Sequence, residues 1–154
     1  MPEVHKVHPV GHSADDMFAL VADIERYPEF VPLCQALSVQ QEREKGVRTV
    51  RIASMTVGYK AIRETFTCQV ILNPEEYRIS VSYIDGPFEY MNNEWRFEPA
   101  GPHACKVHFD LDYKFRSRAL SVLMGSMFDR AFARFVDAFE ERAAQVYGEP
   151  AAIA

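Results

Sequence analysis

Five histidines and one oddly placed carboxylate are the residues of this 154-residue chain that could support acid–base or metal chemistry. His5 and His8 stand three apart in the stretch Glu3 to Val10, which suits a strand. Side chains at that spacing point to opposite strand faces, so the two cannot share a metal ion. His12 precedes a helix, His103 falls in a turn and His108 sits on the polar side of its strand, so all five are expected at the surface. Glu64 differs, because strand parity puts it on the face of Ile62 and Phe66, where a carboxylate must pair or hold its proton. A strand-end exit to water or an arginine partner satisfies it. A general acid is the sharper role, but one isolated carboxylate makes no active site. No catalytic residue and no metal site is assigned.

There is no Gly-rich phosphate loop, no H-E-x-x-H and no G-x-S-x-G. Cys34, Cys68 and Cys105 are widely spaced and odd in number, which gives neither a disulfide framework nor a zinc pair and suits a reducing compartment. A net charge of -5 without a long basic run speaks against a DNA partner, since phosphate binding needs clustered Lys and Arg. The early acid in Met1-Pro2-Glu3-Val4-His5-Lys6 is unlike a signal peptide, and no apolar run approaches the ~18 residues of a membrane span. A cytoplasmic protein that touches a membrane only peripherally is expected.

What remains is apolar chemistry. Apolar residues are 48% of the chain, and the aromatic ones recur where they can converge. From Ala36 to Phe115 the chain reads as a meander of strands, punctuated at Lys45-Gly46, Val57-Gly58, Asn73-Pro74, Asp85-Gly86-Pro87 and Pro99 to Pro102. Ile62, Phe66, Cys68, Val70 and Leu72 share one strand face. Tyr77, Ile79, Val81 and Tyr83 share another, and Val107, Phe109, Leu111, Tyr113 and Phe115 a third. One wet face and one dry face mark an open antiparallel sheet.

Before the meander, Ser13 is a helix N-cap with Asp15 and Asp16 in the first turn. Pro28 and Pro32 confine the next helix to a turn or two around Tyr27, Phe30 and Val31. After it, Arg118 to Tyr147 reads as one helix of about 45 Å. Its stripe of Met124, Met127, Phe128, Phe132, Phe135 and Phe139 must cover the dry sheet face. The expected fold is α+β, a helix-grip arrangement in one domain over 1–148, with a disordered tail at 149–154. About six or seven curved strands wrap a long C-terminal helix, and two short helices follow the first strand. A dry, packed core and an interior cavity both fit this pattern. Met124, Met127 and Gly125 tilt towards a cavity bordered by Trp95, Phe97, Tyr113, Phe115, Met124 and Met127, because methionines adapt and a helix-interior glycine points to a hinge or a close approach.

The segment Tyr27-Pro28-Glu29-Phe30-Val31-Pro32-Leu33-Cys34 resembles the Y-P-x-F-x-P-x-C signature of the coenzyme-Q-binding proteins, within the START-like superfamily of polyketide cyclases and lipid-transfer proteins. Arg63-Glu64-Thr65-Phe66, Gly86-Pro87-Phe88, Asn93 to Phe97, Phe109 to Ser117 and Ala138 to Ala143 also fit, so the resemblance covers nearly the whole chain. It implies a deep apolar tunnel that binds ubiquinone or a related polyprenyl lipid, in a non-enzymatic carrier or chaperone supporting respiratory electron transport. The ligand is then no cofactor, and the partners are that lipid and, peripherally, the inner membrane of a bacterium. Tyr27, Phe30, Val31, Phe66, Trp95, Phe97, Tyr113, Phe115, Met124, Met127 and Phe128 are the candidate ligand-binding residues. Relatives of the same resemblance include a ribosome-association toxin, so a translation inhibitor on the large ribosomal subunit is the alternative, with Arg43, Lys45, Arg48 and Arg51 as its basic edge. A polyketide cyclase or dehydratase comes third. A ligand entrance is expected at two mobile pieces, Pro28 to Pro32 and Arg118 to Ser126, with Arg116 and Arg118 beside it.

Overall fold

The computed structural model describes residues 3–59 and 61–151. Seven strands form one sheet: β1 (Glu3–Val10), β2 (Cys34–Lys45), β3 (Arg48–Tyr59), β4 (Ile62–Asn73), β5 (Arg78–Asp85), β6 (Phe88–Pro99) and β7 (Cys105–Phe115). All neighbours are antiparallel, in the order β1-β7-β6-β5-β4-β3-β2. Strand β7 shows why one face is dry: Cys105, Val107, Phe109, Leu111, Tyr113 and Phe115 are all buried, and the residues between them are not. The dry face is covered by helices α1 (Ala14–Ala22), α2 (Arg118–Ala133) and α3 (Phe135–Tyr147), and a 3₁₀ helix (Ile24–Glu29) flanks it. Ser13 caps α1 by accepting from Asp16 N at 3.0 Å, and Pro28 lies within the 3₁₀ turn. This is the expected α+β helix-grip fold.

The single C-terminal helix needs correction, because it breaks at Arg134. There the backbone N–H turns back to Ala131 O at 3.0 Å, a tighter link than the α-helical one. Lys6 of β1 donates to Ala133 O, the last carbonyl of α2. The break lets one aromatic stripe follow a curved sheet. Phe128 meets Phe115 at 5.3 Å, Phe132 meets Tyr113 at 5.2 Å, Phe135 meets Phe109 at 6.1 Å and Phe139 meets Trp95 at 5.0 Å. Phe128 and Phe139, the two fully buried members, contribute roughly 1.5–3 kcal/mol each.

Three local expectations also change. Tyr77 precedes β5 at φ 52 and gives its carbonyl to Phe97 N at 2.9 Å, so the strand's alternation starts at Ile79. Gly125 meets no close neighbour, because a Cβ there would point into open space. His12 is 5% exposed, with its ring 6.2 Å from that of Tyr147, because the short β1–α1 connection tucks it under the end of α3. In the expected tail, Ala151 N donates to Gly11 O at 2.8 Å, and 152–154 lie outside the described residues.

Candidate functional site

Between the sheet and the C-terminal helices lies an apolar cavity of about 110 Å³. Its floor comes from alternate residues of β3 and β4: Ala53, Met55, Phe66, Cys68 and Val70. Its roof is the inner stripe of α2 and α3, where Phe128, Ala131, Phe132, Phe135 and Phe139 project. Ile24, Tyr27, Pro32 and Leu33 close one flank, and Trp95 and Asn93 of β6 complete the wall.

The polar atoms of this wall are few and mostly engaged. Tyr27 donates its hydroxyl to Val21 O, and burial, first among several causes, pushes its pKa well above the ordinary phenol value. Burial holds the Cys68 thiol protonated, with its pKa raised to about 12. Asn93 is the one amide in the lining. Its Oδ1 accepts from Trp95 Nε1 at 3.0 Å, and its Nδ2 donates to Asp110 O at 2.9 Å. An indole N–H only donates, so Trp95 fixes which end of the amide is which. Among the described residues the second N–H of that amide has no partner, in a wall otherwise almost wholly of rings and aliphatic chains. Parity on β6 makes Asn93 legible, since it alternates inward with Met91, Trp95 and Phe97.

Tyr27, Phe66, Trp95 and Phe128 of the eleven candidate residues line the cavity. The others lie around it. Phe97 packs under α1, 6.1 Å from Phe18 and stacked 6.0 Å from Trp95. Tyr113 sends its hydroxyl to Asp129 Oδ1 at 2.7 Å, and Phe115 stacks on Phe88 at 5.0 Å. Met124 is fully buried, and Met127 packs partly buried against the same core. The expected border of Trp95, Phe97, Tyr113, Phe115, Met124 and Met127 is thus corrected to Trp95 alone. Rings of Phe88, Tyr113, Phe115 and Phe128 fill that end of the interior, and the open volume shifts towards β3 and β4.

Phe30 and Val31 belong to the flank. Phe30 meets Phe139 at 5.0 Å and lies under the Arg142 guanidinium, itself 5.0 Å from the ring centre. Arg142 also binds Glu29 at 2.5 Å, so α3 fastens the proline-containing segment over the cavity. Val31 is buried, with its N–H on Tyr27 O at 2.8 Å.

Glu64 stands outside, in a separate surface recess with Thr65, Gly86, Pro87, Arg116, Ser117 and Leu120. His5 faces outward to Asp110 at 2.8 Å, which raises its pKa, and His8 faces Glu140 of α3 at 2.9 Å, so the two point apart as parity requires. Glu3, His5 and Asp112, and His8, Asp137 and Glu140, gather metal-type ligands in two separate groups. Among the described residues no helix is long and apolar enough to cross a membrane.

Comparison with known proteins adds the family. A family model described as polyketide cyclase / dehydrase and lipid transport matches residues 10–140. The ribosome association toxin RatA of Vibrio cholerae is 38% identical over 149 residues, covering 97% of this chain and all of that protein. The mitochondrial coenzyme Q-binding protein COQ10 of Drosophila melanogaster is 29% identical over 144 residues, covering 92% of this chain and 58% of that protein. Among solved structures, the 18 kDa protein CC1736 of Caulobacter crescentus superposes with a TM-score of 0.78 at 32% identity, covering 97% of this chain and 100% of the other. A START superfamily protein of Mycobacterium smegmatis gives 0.77 at 21% identity, covering 94% and 98%, and shows the shared fold.

Proposed function

We propose that this chain, which belongs to the polyketide cyclase / dehydrase and lipid transport family, is a non-enzymatic carrier of ubiquinone or a related polyprenyl lipid. The observation that carries the reading is the cavity wall itself, aliphatic and aromatic nearly throughout, with one oriented amide at Asn93. Burying a polyprenyl chain against such a wall is favourable by about 0.8 kcal/mol per CH₂. The remaining N–H of Asn93 suits a quinone carbonyl, and the adjoining Trp95 offers a ring to stack on. These groups orient a ligand; the neutral Cys68 thiol and the engaged Tyr27 hydroxyl do not exchange protons with it near neutral pH. The name of the COQ10 relative points the same way.

The volume sets a condition. An apolar cavity of about 150 Å³ takes one benzene ring, so about 110 Å³ holds a single ring or isoprene unit. A longer ligand requires a wall to move. The reading assigns that movement to the segment from Pro28 to Pro32 and to the first turns of α2, with peripheral contact at a membrane where ligand is exchanged. Titrating the chain with a short-chain ubiquinone tests the reading, with Trp95, the single tryptophan, as reporter. Saturable quenching is expected, and a flat titration of the folded chain contradicts the reading.

A second reading rests on the similarity to RatA along the full chain. In it, the chain binds the large ribosomal subunit and blocks translation. Arg43, Lys45 and Arg48 are exposed around the β2–β3 turn and would meet the ribosome, whereas Arg51 is tied to Glu42 at 2.6 Å and to Ala22 O at 2.7 Å. Sedimentation with purified 50S subunits tests it, and a variant with all three exposed basic residues changed to Gln should lose the association.

A further inference from the structure

The outward face of α2 has no role in the cavity, yet it is not the polar face expected of a helix covered on one side only. Val122 and Leu123 are 78% and 59% exposed. With about 3.6 residues per turn, Ala119, Val122, Leu123, Ser126 and Arg130 fall in one stripe, turned away from the buried Met124 and Phe128. The exposed charges of this helix and its two ends are mostly basic, four arginines against one acid. Arg118 and Arg130 lie on it, Arg116 just before it and Arg134 at its end. The arginines held in ion pairs are others, Arg26, Arg51, Arg78 and Arg142; among the described residues Arg116, Arg118, Arg130 and Arg134 are in none. The one acid of α2, Asp129, is bound by the Tyr113 hydroxyl. Beyond the break, α3 instead exposes Asp137 and Glu141, and the whole chain carries -5. Of the two C-terminal helices, the basic, apolar face therefore belongs to α2 and not to α3.

We propose that the outer face of α2 docks on an anionic lipid bilayer. The helix lies along the interface, Val122 and Leu123 reach the acyl boundary, and Arg116, Arg118 and Arg130 meet headgroup phosphates. The exposed aliphatic pair decides between a bilayer and a polyphosphate such as RNA, because only a bilayer offers that pair an apolar medium. This inference rests on the carrier reading in one respect. The inner face of the same helix supplies Phe128 and Phe132 to the cavity, so docking brings a cavity wall against the source of the ligand.

The test is flotation of the full chain with vesicles of phosphatidylcholine, with and without phosphatidylglycerol, at two salt concentrations. Binding is expected with phosphatidylglycerol, weaker at high salt and weakest on phosphatidylcholine alone. The double variant Val122→Asp with Leu123→Asp, and separately Arg118→Gln with Arg130→Gln, should each bind about tenfold less or weaker still. Both pairs are exposed, and circular dichroism should match the parent chain. Failure of the parent chain to float with phosphatidylglycerol, or parent-like binding by both variants, overturns the proposal. So does binding to ribosomal RNA that the variants abolish while vesicle binding is absent. Quinone quenching of Trp95 in vesicle-free buffer separates the two claims: quenching without flotation removes the docking surface alone, and flotation without quenching removes the carrier reading alone.

Discussion

Trp95 Nε1 donates to Asn93 Oδ1 across 3.0 Å, two residues along one face of β6, and this bond fixes the orientation of the one amide in an otherwise apolar wall. The first prediction follows from that geometry. Asn93→Leu should weaken a short-chain quinone by about 1 kcal/mol, roughly fivefold, while a polyprenyl fragment without carbonyls binds unchanged. The same variant leaves the Trp95 N–H without its acceptor, which costs about 1–3 kcal/mol of stability. Parallel titrations with the two ligands check it; equal losses for both contradict a role in orienting the head.

Much of this arrangement is legible in the sequence, and the remainder has physical reasons for being hidden. Alternation gave β7 its inner row from Cys105 to Phe115, and the helical spacing of Phe128, Phe132, Phe135 and Phe139 gave the covering stripe. The break at Arg134 left no trace, because neither Pro nor Gly marks it. His12 looked like a loop residue, and only the return of α3 buries it. The cavity's position was the hardest to read. It depends on how rings such as Phe88 and Phe115 stack with each other, not on which face they occupy.

The Glu29–Arg142 bond predicts a pH-sensitive flank. The Arg142 guanidinium holds the Glu29 carboxyl below its ordinary pKa, so the contact contributes in full above that ordinary value. It is lost as the pH falls through the lowered value. Quinone uptake, followed by stopped-flow quenching of Trp95, should therefore accelerate under acid conditions. Glu29→Gln should be fast already at neutral pH and lose that dependence. Arg142→Gln should be faster still, since it also removes the cation over Phe30. Identical uptake by all three contradicts the latch.

Gly125→Ala tests the mobility of α2. A Cβ there meets nothing within 4 Å, and alanine favours a helix interior by about 1 kcal/mol over glycine. Thermal unfolding should rise by roughly 2–4 °C. Amide exchange in residues 118–126 should slow, and quinone uptake with it. A more stable variant with unchanged uptake would place the entrance elsewhere.

Cys68 offers a chemical report on occupancy. It lines the cavity with a pKa raised to about 12, so alkylation at neutral pH should be slow, because the thiolate is the reactive form. Cys34 and Cys105, each raised to about 11, lie outside the lining and serve as internal controls. Mass mapping after treatment with iodoacetamide should show quinone protecting Cys68 well beyond the other two. Equal protection of all three, or none, contradicts a ligand on the β4 floor.

The central claim is that this cavity carries a polyprenyl lipid, and native mass spectrometry of the full chain purified from its own host tests it most directly. The account predicts a fraction of the protein heavier by the mass of one ubiquinone or related polyprenyl molecule, released on unfolding and identified in the extract. A chain that flies at its bare mass, and stays bare after incubation with ubiquinone while still folded, would contradict it.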